Sequence, residues 1–201
     1  MGSSRGVGQH HGNLRAALLE AALGEIADGR AEKLSLRAVA RRAGVSAGAP
    51  YHHFSDKRAL LAAVAREGFS QLVAAQDALA VPDPERHLFA MASTYVRFAA
   101  AHATHYRVMF GVRADEVEGP EGEALAQAAQ GAFGRLCSAI GAVSPALDAA
   151  EVRHRGVLVW SLAHGSVQVI VDGLSGRLAP ELSVSELADR VATATVQIAR
   201  G

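Results

Sequence analysis

The sequence of 201 residues contains a single cysteine, Cys137, few aromatic side chains and no excess of charge of either sign. One cysteine cannot form a disulfide within the chain, so the sequence excludes a disulfide-stapled fold and predicts a reducing compartment, the cytoplasm. Aromatic residues make up only 5% of the chain, whereas 50% of its residues are apolar, which is enough to build a substantial core. This composition excludes wholesale disorder.

The sequence also lacks a hydrophobic run long enough to cross a membrane. Its longest uncharged stretch, residues 156–171, has 16 residues, whereas a spanning helix needs about 20. We therefore predict a buried helix there and no membrane partner. The first apolar stretch, residues 14–23, already contains Arg15 and Glu20, which is unlike a secretory signal. Secretion is not expected.

The lack of net charge conceals two halves of opposite sign. Residues 1–70 contain ten basic and six acidic side chains, a balance of +4, and residues 71–201 carry the compensating balance of −4. Such asymmetry is typical of a chain in which one half meets a polyanion and the other does not. Solvated faces also produce differences of this size, so the charge pattern indicates a nucleic-acid partner only in combination with a motif.

Apolar residues recur at helical spacing along most of the chain, without the hairpin turns that accompany strands. The sequence therefore predicts an all-α fold of about nine helices. The expected helices cover residues 14–28, 36–43, 47–53, 57–80, 85–103, 105–110, 123–142, 148–172 and 183–200. Residues 1–13, which are rich in Gly, Ser and His, are expected to form a flexible arm.

The second and third expected helices are short and joined by a tight turn, which is typical of a helix-turn-helix unit. Ser35 precedes the first of them as an N-cap, Gly44 ends it, and Ser46 precedes the second. Such a unit presents one helix to the major groove of DNA. The small residues Ala47 and Gly48 would let that helix approach DNA closely. Polar atoms that can reach phosphates are supplied by Tyr51, His52 and His53.

This part of the chain resembles the N-terminal signature of the tetracycline-repressor (TetR) family of bacterial transcription regulators. The resemblance is carried by the stretch SLRAVARRAGVSAGAPYHHFSDK, residues 35–57, and extends over residues 14–68. It implies a homodimer that binds a palindromic DNA operator, acts as a repressor, and dissociates when a small-molecule inducer enters the C-terminal half. It also implies three parts: the arm, residues 1–13; a three-helix DNA-binding domain, residues 14–68; and a ligand-binding and dimerisation domain, residues 69–201.

Individual roles in DNA binding follow from the same resemblance. Ser35 and Lys57 would contact phosphate, and the residues between them would lie at base edges or along the backbone. The implied DNA-binding residues are Ser35, Ser46, Ala47, Gly48, Tyr51, His52, His53 and Lys57. Two residues depart from the family pattern: Pro50 stiffens the start of the presented helix, and Ala47 stands where a longer polar residue is common.

In the C-terminal half, Trp160, His164 and Gly165 resemble the Trp…His-Gly segment of one subclass of these regulators. Gly165 would allow a close helix crossing. The helix at residues 148–172 and the last helix together predict a four-helix dimer interface, two helices from each subunit.

Aromatic side chains with a few polar neighbours predict a small-molecule site. Its candidate ligand-binding residues are Phe89, Tyr95, Phe98, His102, Tyr106, Phe110, Phe133, Trp160, His164 and Gln168, with Met109 and Cys137 beside them. We expect Tyr95, His102 and His164 to orient the ligand, because buried polar groups need partners. Ordinary core packing is the alternative for any one of these residues.

No cofactor, metal or catalytic residue is predicted. His102 and His105 share a helical spacing, but no carboxylate or thiol accompanies them, and nothing near Cys137 marks a reactive thiolate. Two alternatives remain open beside a ligand-responsive regulator. One is an all-α ligand-binding protein or enzyme whose basic N-terminal unit binds a protein, and the other is an architectural DNA binder without an inducer.

Overall fold

The computed structural model describes residues 7–30 and 33–201, with side chains described for residues 14–28 and from residue 33 onward. Within these ranges the chain is helical and contains no strand, which confirms the all-α prediction. The α-helices of this part are α1 Val7–Glu25, α2 Leu36–Arg42, α3 Lys57–Asp77, α4 Pro84–Ala101, α5 Ala103–Gly111, α6 Pro120–Val143, α7 Ala149–Val171, α8 Ser175–Leu178 and α9 Val184–Arg200. None of them is long and apolar enough to span a bilayer.

The first helix begins earlier than its apolar spacing predicts. Residues 1–6 of the expected flexible arm lie outside the described residues, and the backbone of residues 7–13 belongs to α1. A π-helical turn, Ile26–Arg30, follows α1. Residues 1–13 are rich in Gly, Ser and His and have no apolar period, so the sequence pattern could not locate the start of α1.

By their contacts the described residues divide into two compact units. The first contains the described residues up to Gly68 together with Thr104–Ala126. Its interior is built by buried apolar side chains of α1, α2 and the first half of α3, together with Phe54. The fully buried side chains there include Leu18, Ala22, Val39, Phe54, Leu60 and Val64. This core carries the short segment between α2 and α3.

The second unit contains Phe69–Ala103 and Gln127–Gly201. Within it α9 packs most extensively against α4 and next against α7. The buried residues of α9 recur every three or four positions (Ala188, Val191, Ala192, Thr195 and Ala199), as expected for a helix with one face in the core. Ser93 of α4 donates to Asp189 of α9 at 3.1 Å, and Arg97 bonds both side chains.

Side-chain caps explain where several helices begin. The Ser183 hydroxyl accepts from the Glu186 N–H while the Glu186 carboxylate accepts from the Ser183 N–H, a reciprocal capping box at α9. Asp148 accepts from the Ala150 and Glu151 N–H groups at the start of α7, and these bonds lower the pKa of its carboxyl.

Two expectations about helix limits are wrong. The break between the expected helices at residues 85–103 and 105–110 falls at His102, which has φ −119° and ψ 43° and separates α4 from α5, whereas we expected it at Thr104. The presented helix of the helix-turn-helix, expected at Ala47–His53, is a 3-10 helix of four residues, Ala49–His52. Pro50 has no N–H to continue a helical ladder, and Gly48 favours a turn before it.

Candidate nucleic-acid interface and ligand site

The turn that leads into the presented segment depends on Gly44. Its φ of +70° lies in the left-handed region, which only glycine adopts without strain. The Gly44 N–H donates to the Arg41 carbonyl and the Val45 N–H to the Ala40 carbonyl, so α2 ends in a Schellman motif. At the other end of α2, Ser35 is the N-cap as predicted, with its Oγ accepting from the Ala38 N–H at 3.2 Å.

We call residues 46–53, which the sequence predicts to contact DNA, the DNA-reading segment. Ser46, Ala47 and Gly48 are exposed, and no atom of the described part of the chain lies within 4 Å of a Cβ placed on Gly48. Tyr51 is 54% exposed. Only Pro50 of the 3-10 helix is buried, so a proline anchors the segment while its small and polar side chains stay at the surface. Ser46 does not cap this helix by its side chain; Gly48 occupies the N-cap position without a side-chain bond.

The remaining predicted DNA contacts differ in exposure. His52 is exposed, whereas His53 is half-buried and its ring lies 6.2 Å from that of Phe54. Lys57 is the first residue of α3 and is half-buried. Ser35 stands apart in sequence but opens the helix that precedes the turn. The eight predicted residues therefore lie in one unit at the ends of α2 and α3 and in the segment between them.

An ion-pair cluster fixes α2 against the end of α1. Arg42 donates to Glu25 at 3.3 Å and to Asp28 at 2.7 Å. A Cβ on Gly24 would lie 2.4 Å from the Arg42 guanidinium, so this glycine leaves room for it. Arg41, the preceding residue, is exposed, and so is Arg42 despite its ion pairs. We missed this clamp because α1 and α2 are separate in sequence and the Arg41–Arg42 pair reads as a solvated face.

In the second unit three of the predicted ligand-binding residues meet. The Tyr95 hydroxyl lies 3.5 Å from Nδ1 of His164, and the Trp160 indole stacks on the same imidazole with ring centroids 4.8 Å apart. Burial lowers the pKa of His164 below its ordinary value, which favours the neutral ring. Trp160 is still 38% exposed, so the cluster of Tyr95, Trp160 and His164 is accessible from one side.

The other predicted ligand-binding residues have different surroundings. The rings of Phe98 and His102 lie 4.6 Å apart at the end of α4, and Phe89 is half-buried on that helix. Gln168 is exposed and donates to Asp172. Tyr106 and Phe110 pair at 4.9 Å on α5, which belongs to the first unit, and Tyr106 is fully buried.

Phe133 and Cys137 pack where α6 meets α7. A Cβ on Gly156 would lie 3.0 Å from the Cys137 Sγ and 3.2 Å from the Phe133 ring, so the close crossing within the chain occurs at Gly156. The crossing expected at Gly165 does not occur among the residues that the structure describes, since none of their atoms lies within 4 Å of a Cβ placed there. Burial raises the pKa of the Cys137 thiol, an effect that nearby Arg153 partly offsets. A raised pKa disfavours the reactive thiolate.

Sequence reasoning also missed an open groove in the second unit. It has a volume of about 720 Å³, within the range of small-molecule sites. Its wall on α6 contains Gly131 and Gly134, and an ion pair of Arg135 with Asp77 lies at its edge. None of the predicted ligand-binding residues lines it. The spacing of the two glycines on one helical face was the available signal.

Within the described ranges, no group of three or more His, Cys, Asp or Glu side chains is placed to hold a metal ion. The chain matches two family models. Residues 18–64 match "Bacterial regulatory proteins, tetR family", and residues 88–196 match "Tetracyclin repressor-like, C-terminal domain". The second match alone covers more than half of the chain. A search of curated proteins found no sequence that matches the chain.

Solved structures with the same fold include three that span nearly the whole chain. A protein of unknown function from Rhodococcus sp. RHA1 is 26% identical, with a TM-score of 0.77 over 95% of this chain and 97% of its own. A transcriptional regulator from the same organism is 27% identical, with a TM-score of 0.67 over 91% and 94%. The regulator FadR from Bacillus subtilis, solved with stearoyl-CoA, is 17% identical, with a TM-score of 0.67 over 90% and 97%.

Both halves of the chain thus match the same family, and the first half holds the exposed segment on its buried three-helix base. The protein belongs to the TetR family of bacterial regulatory proteins and is a DNA-binding transcription regulator.

Proposed function

We propose that the protein is a repressor that binds a palindromic operator as a homodimer and leaves it when a small organic molecule binds its C-terminal half. The observation that carries the DNA-binding part is the DNA-reading segment, whose small residues are exposed while Pro50 anchors it to the core. Backbone with small side chains can approach base edges in the major groove. In this proposal the DNA phosphates beside the groove are held by Tyr51, His52, His53 and Lys57.

The dimer is supported by the surface of α7. Val157 and Leu158 are 51% and 60% exposed on this helix, although apolar side chains of this size favour burial. Gly165 is exposed on the same helix and leaves space for a close approach. In our proposal α7 and α9 of two subunits form the four-helix interface, and Gly165 is where the helices of the two copies cross.

The ligand part of the proposal is centred on Tyr95, Trp160 and His164. A neutral imidazole donates from one ring nitrogen and accepts at the other, and Nδ1 of His164 faces the Tyr95 hydroxyl, so Nε2 is the nitrogen that we propose to bond the ligand. The aromatic surface beside it binds apolar groups. We also propose that the C-terminal half belongs to the subclass with the Trp…His-Gly segment, a proposal supported by the stacking of Trp160 on His164. That FadR of Bacillus subtilis was solved with stearoyl-CoA supports an organic ligand for this fold, without naming the ligand of this chain. The proposal includes no enzymatic activity.

The DNA-binding proposal is tested with a duplex that the wild-type protein selects from a random library. Lys57→Gln is expected to weaken binding about ten-fold and to reduce the slope of log affinity against log salt by about 1.8, the value for two lost phosphate contacts, one in each subunit of the dimer. Tyr51→Ala should weaken it similarly. Arg86→Gln removes an exposed cation from α4, outside the proposed DNA and dimer surfaces, and serves as the control. Equal affinities for all of these proteins would contradict the proposal.

The ligand proposal uses Trp160, the only tryptophan of the chain, as an intrinsic fluorescent probe. Compounds that raise the Tm of the wild-type protein in a small-molecule screen are expected to change its Trp160 emission. The same compounds should no longer raise the Tm of His164→Ala. His154→Ala, an exposed substitution on the same helix, should keep the effect. Stabilising compounds that leave Trp160 emission unchanged would place the ligand elsewhere.

A further inference from the structure

Arg15 of α1 contacts two other parts of the first unit. Its Nη2 donates to Oε1 of Glu121 at 2.8 Å, and its guanidinium carbon lies 5.3 Å from the centroid of the Phe54 ring. Both charged side chains are largely covered, with 27% of Arg15 and 19% of Glu121 exposed. Partly buried charges are screened by salt much less than surface pairs. Neither contact belongs to the predicted DNA-binding or ligand-binding sets.

Phe54 joins Arg15 to the DNA-reading segment. It follows that segment directly and is only 1% exposed. The N–H groups of His53 and Phe54 both donate to the Pro50 carbonyl at 2.9 Å, so the backbone at the end of the segment is tied to its anchoring proline. A cation within about 6 Å of an aromatic ring is attracted to the ring face. Arg15 therefore holds the residue that closes the segment.

On its other side, Arg15 holds the first turn of α6. Glu121 lies in that turn, where a carboxylate also interacts favourably with the helix dipole. A Cβ on Gly122 would lie 2.1 Å from the Val117 carbonyl oxygen, so the acidic loop, residues 112–119, is pressed against the same turn. Arg58 in the first turn of α3 donates to the Glu116 carbonyl at 3.2 Å. Arg15 thus fastens this region to α1, and Arg58 fastens it to α3, the helix that follows the DNA-reading segment.

We propose that Arg15 is a positioning residue for DNA recognition, which uses the Glu121 carboxylate and the Phe54 ring to keep the DNA-reading segment in its binding pose. This inference rests on the proposed DNA-binding function. Without the ion pair, the segment occupies other poses, and the apparent affinity falls with the fraction of competent molecules. Arg15 acts through its charge and its two partners and makes no contact with DNA.

The sharpest test removes the negative charge of the pair. Glu121→Gln lessens the electrostatic repulsion between the protein and DNA. If the pair had no positioning role, the substitution would therefore leave the affinity for DNA unchanged or raise it. Positioning predicts the opposite sign, a fall of roughly three- to ten-fold on the selected duplex. The matched control is Glu123→Gln, which makes the same charge change at an exposed position of the same helix turn and is expected to leave affinity unchanged or slightly higher.

A second variant keeps the test independent of folding defects. In Arg15→Gln the slope of log affinity against log salt should stay at the wild-type value, since no phosphate contact is lost, while affinity falls as in Glu121→Gln. Exchanging the charges in Arg15→Glu with Glu121→Arg should recover part of the loss, with thermal unfolding confirming that each variant folds.

The outcomes separate the two proposals. If the wild-type protein selects no duplex, the DNA-binding proposal fails. If it selects one but Glu121→Gln behaves like Glu123→Gln, or Arg15→Gln lowers the salt slope by about 1.8, the value for one lost phosphate contact in each subunit, DNA binding stands and the positioning role of Arg15 is wrong.

Discussion

His164 is the residue on which the proposed ligand site depends most, because one ring contacts both Tyr95 and Trp160. The sequence could mark these three residues as candidates, since aromatic and polar side chains recur on the helices concerned. It could not show that Phe133 packs against Gly156 or that Arg15 meets Glu121, 106 residues further along the chain. Such contacts depend on how helices distant in sequence pack.

The lowered pKa of His164 makes a prediction about pH. The folded chain disfavours the protonated ring, whereas in the unfolded chain His164 has its ordinary pKa of 6.5. As pH falls below this value, the unfolded chain therefore binds more protons than the folded chain does. Stability that is present above this pH is therefore lost as pH falls through the folded pKa. His164→Gln should reduce the drop in Tm between about pH 7.5 and about pH 5.5 by roughly 1–2 °C, because the ring is only partly buried.

Thermal unfolding monitored by circular dichroism at both pH values measures this effect. His154→Gln on the same helix removes an exposed imidazole that lies 3.7 Å from Glu151 and should not reduce the drop. If His164→Gln loses as much Tm on acidification as the wild-type protein, burial of His164 has no part in the acid response.

At the scale of elements, two glycines that follow α2 are expected to have different roles. Gly44 matters for stability, and Gly48 matters for the proposed contact with DNA. Gly44→Ala forces a Cβ into the left-handed region and should cost about 1 kcal/mol of unfolding free energy. Gly48 has φ −84° and open space around it, so Gly48→Ala should leave stability within about 0.5 kcal/mol. Its added methyl group faces the proposed DNA surface and should weaken binding of the selected duplex.

Urea unfolding and duplex binding on both variants check this double dissociation. A Gly48→Ala protein that binds as well as the wild type would show that the segment does not approach DNA closely. A Gly44→Ala protein of unchanged stability would contradict the role assigned to the Schellman turn.

The helices were more predictable than the segment between them. Apolar spacing located α3, α6, α7 and α9 within a few residues, because each places one face in a core. The DNA-reading segment has small residues and a proline in place of an apolar period, so its 3-10 geometry follows from Pro50 and Gly48 and from the core beneath it. The groove beside Gly131 and Gly134 could not be predicted, since its other walls come from α3 and α4.

At the scale of the whole molecule, the two halves of opposite charge correspond to two tasks, DNA binding and the proposed ligand binding and dimerisation. The dimer is tested by Leu158→Arg, which places a charge in the proposed interface and should raise the dimer Kd about ten-fold or more. Ala74→Arg adds the same charge at an exposed position of α3 and should leave the dimer intact. Sedimentation equilibrium distinguishes twice the chain mass from the chain mass; a dimer unaffected by Leu158→Arg would exclude this interface.

The central claim is sequence-selective DNA binding by a two-fold symmetric protein, and selection from a random duplex library followed by sequencing tests it most directly. The account predicts enrichment of duplexes with two inverted half-sites whose centres lie about one helical turn or slightly more apart, and an affinity that falls steeply with salt. Recovered duplexes with no enrichment over the starting library, or with a single half-site and no inverted repeat, would contradict it.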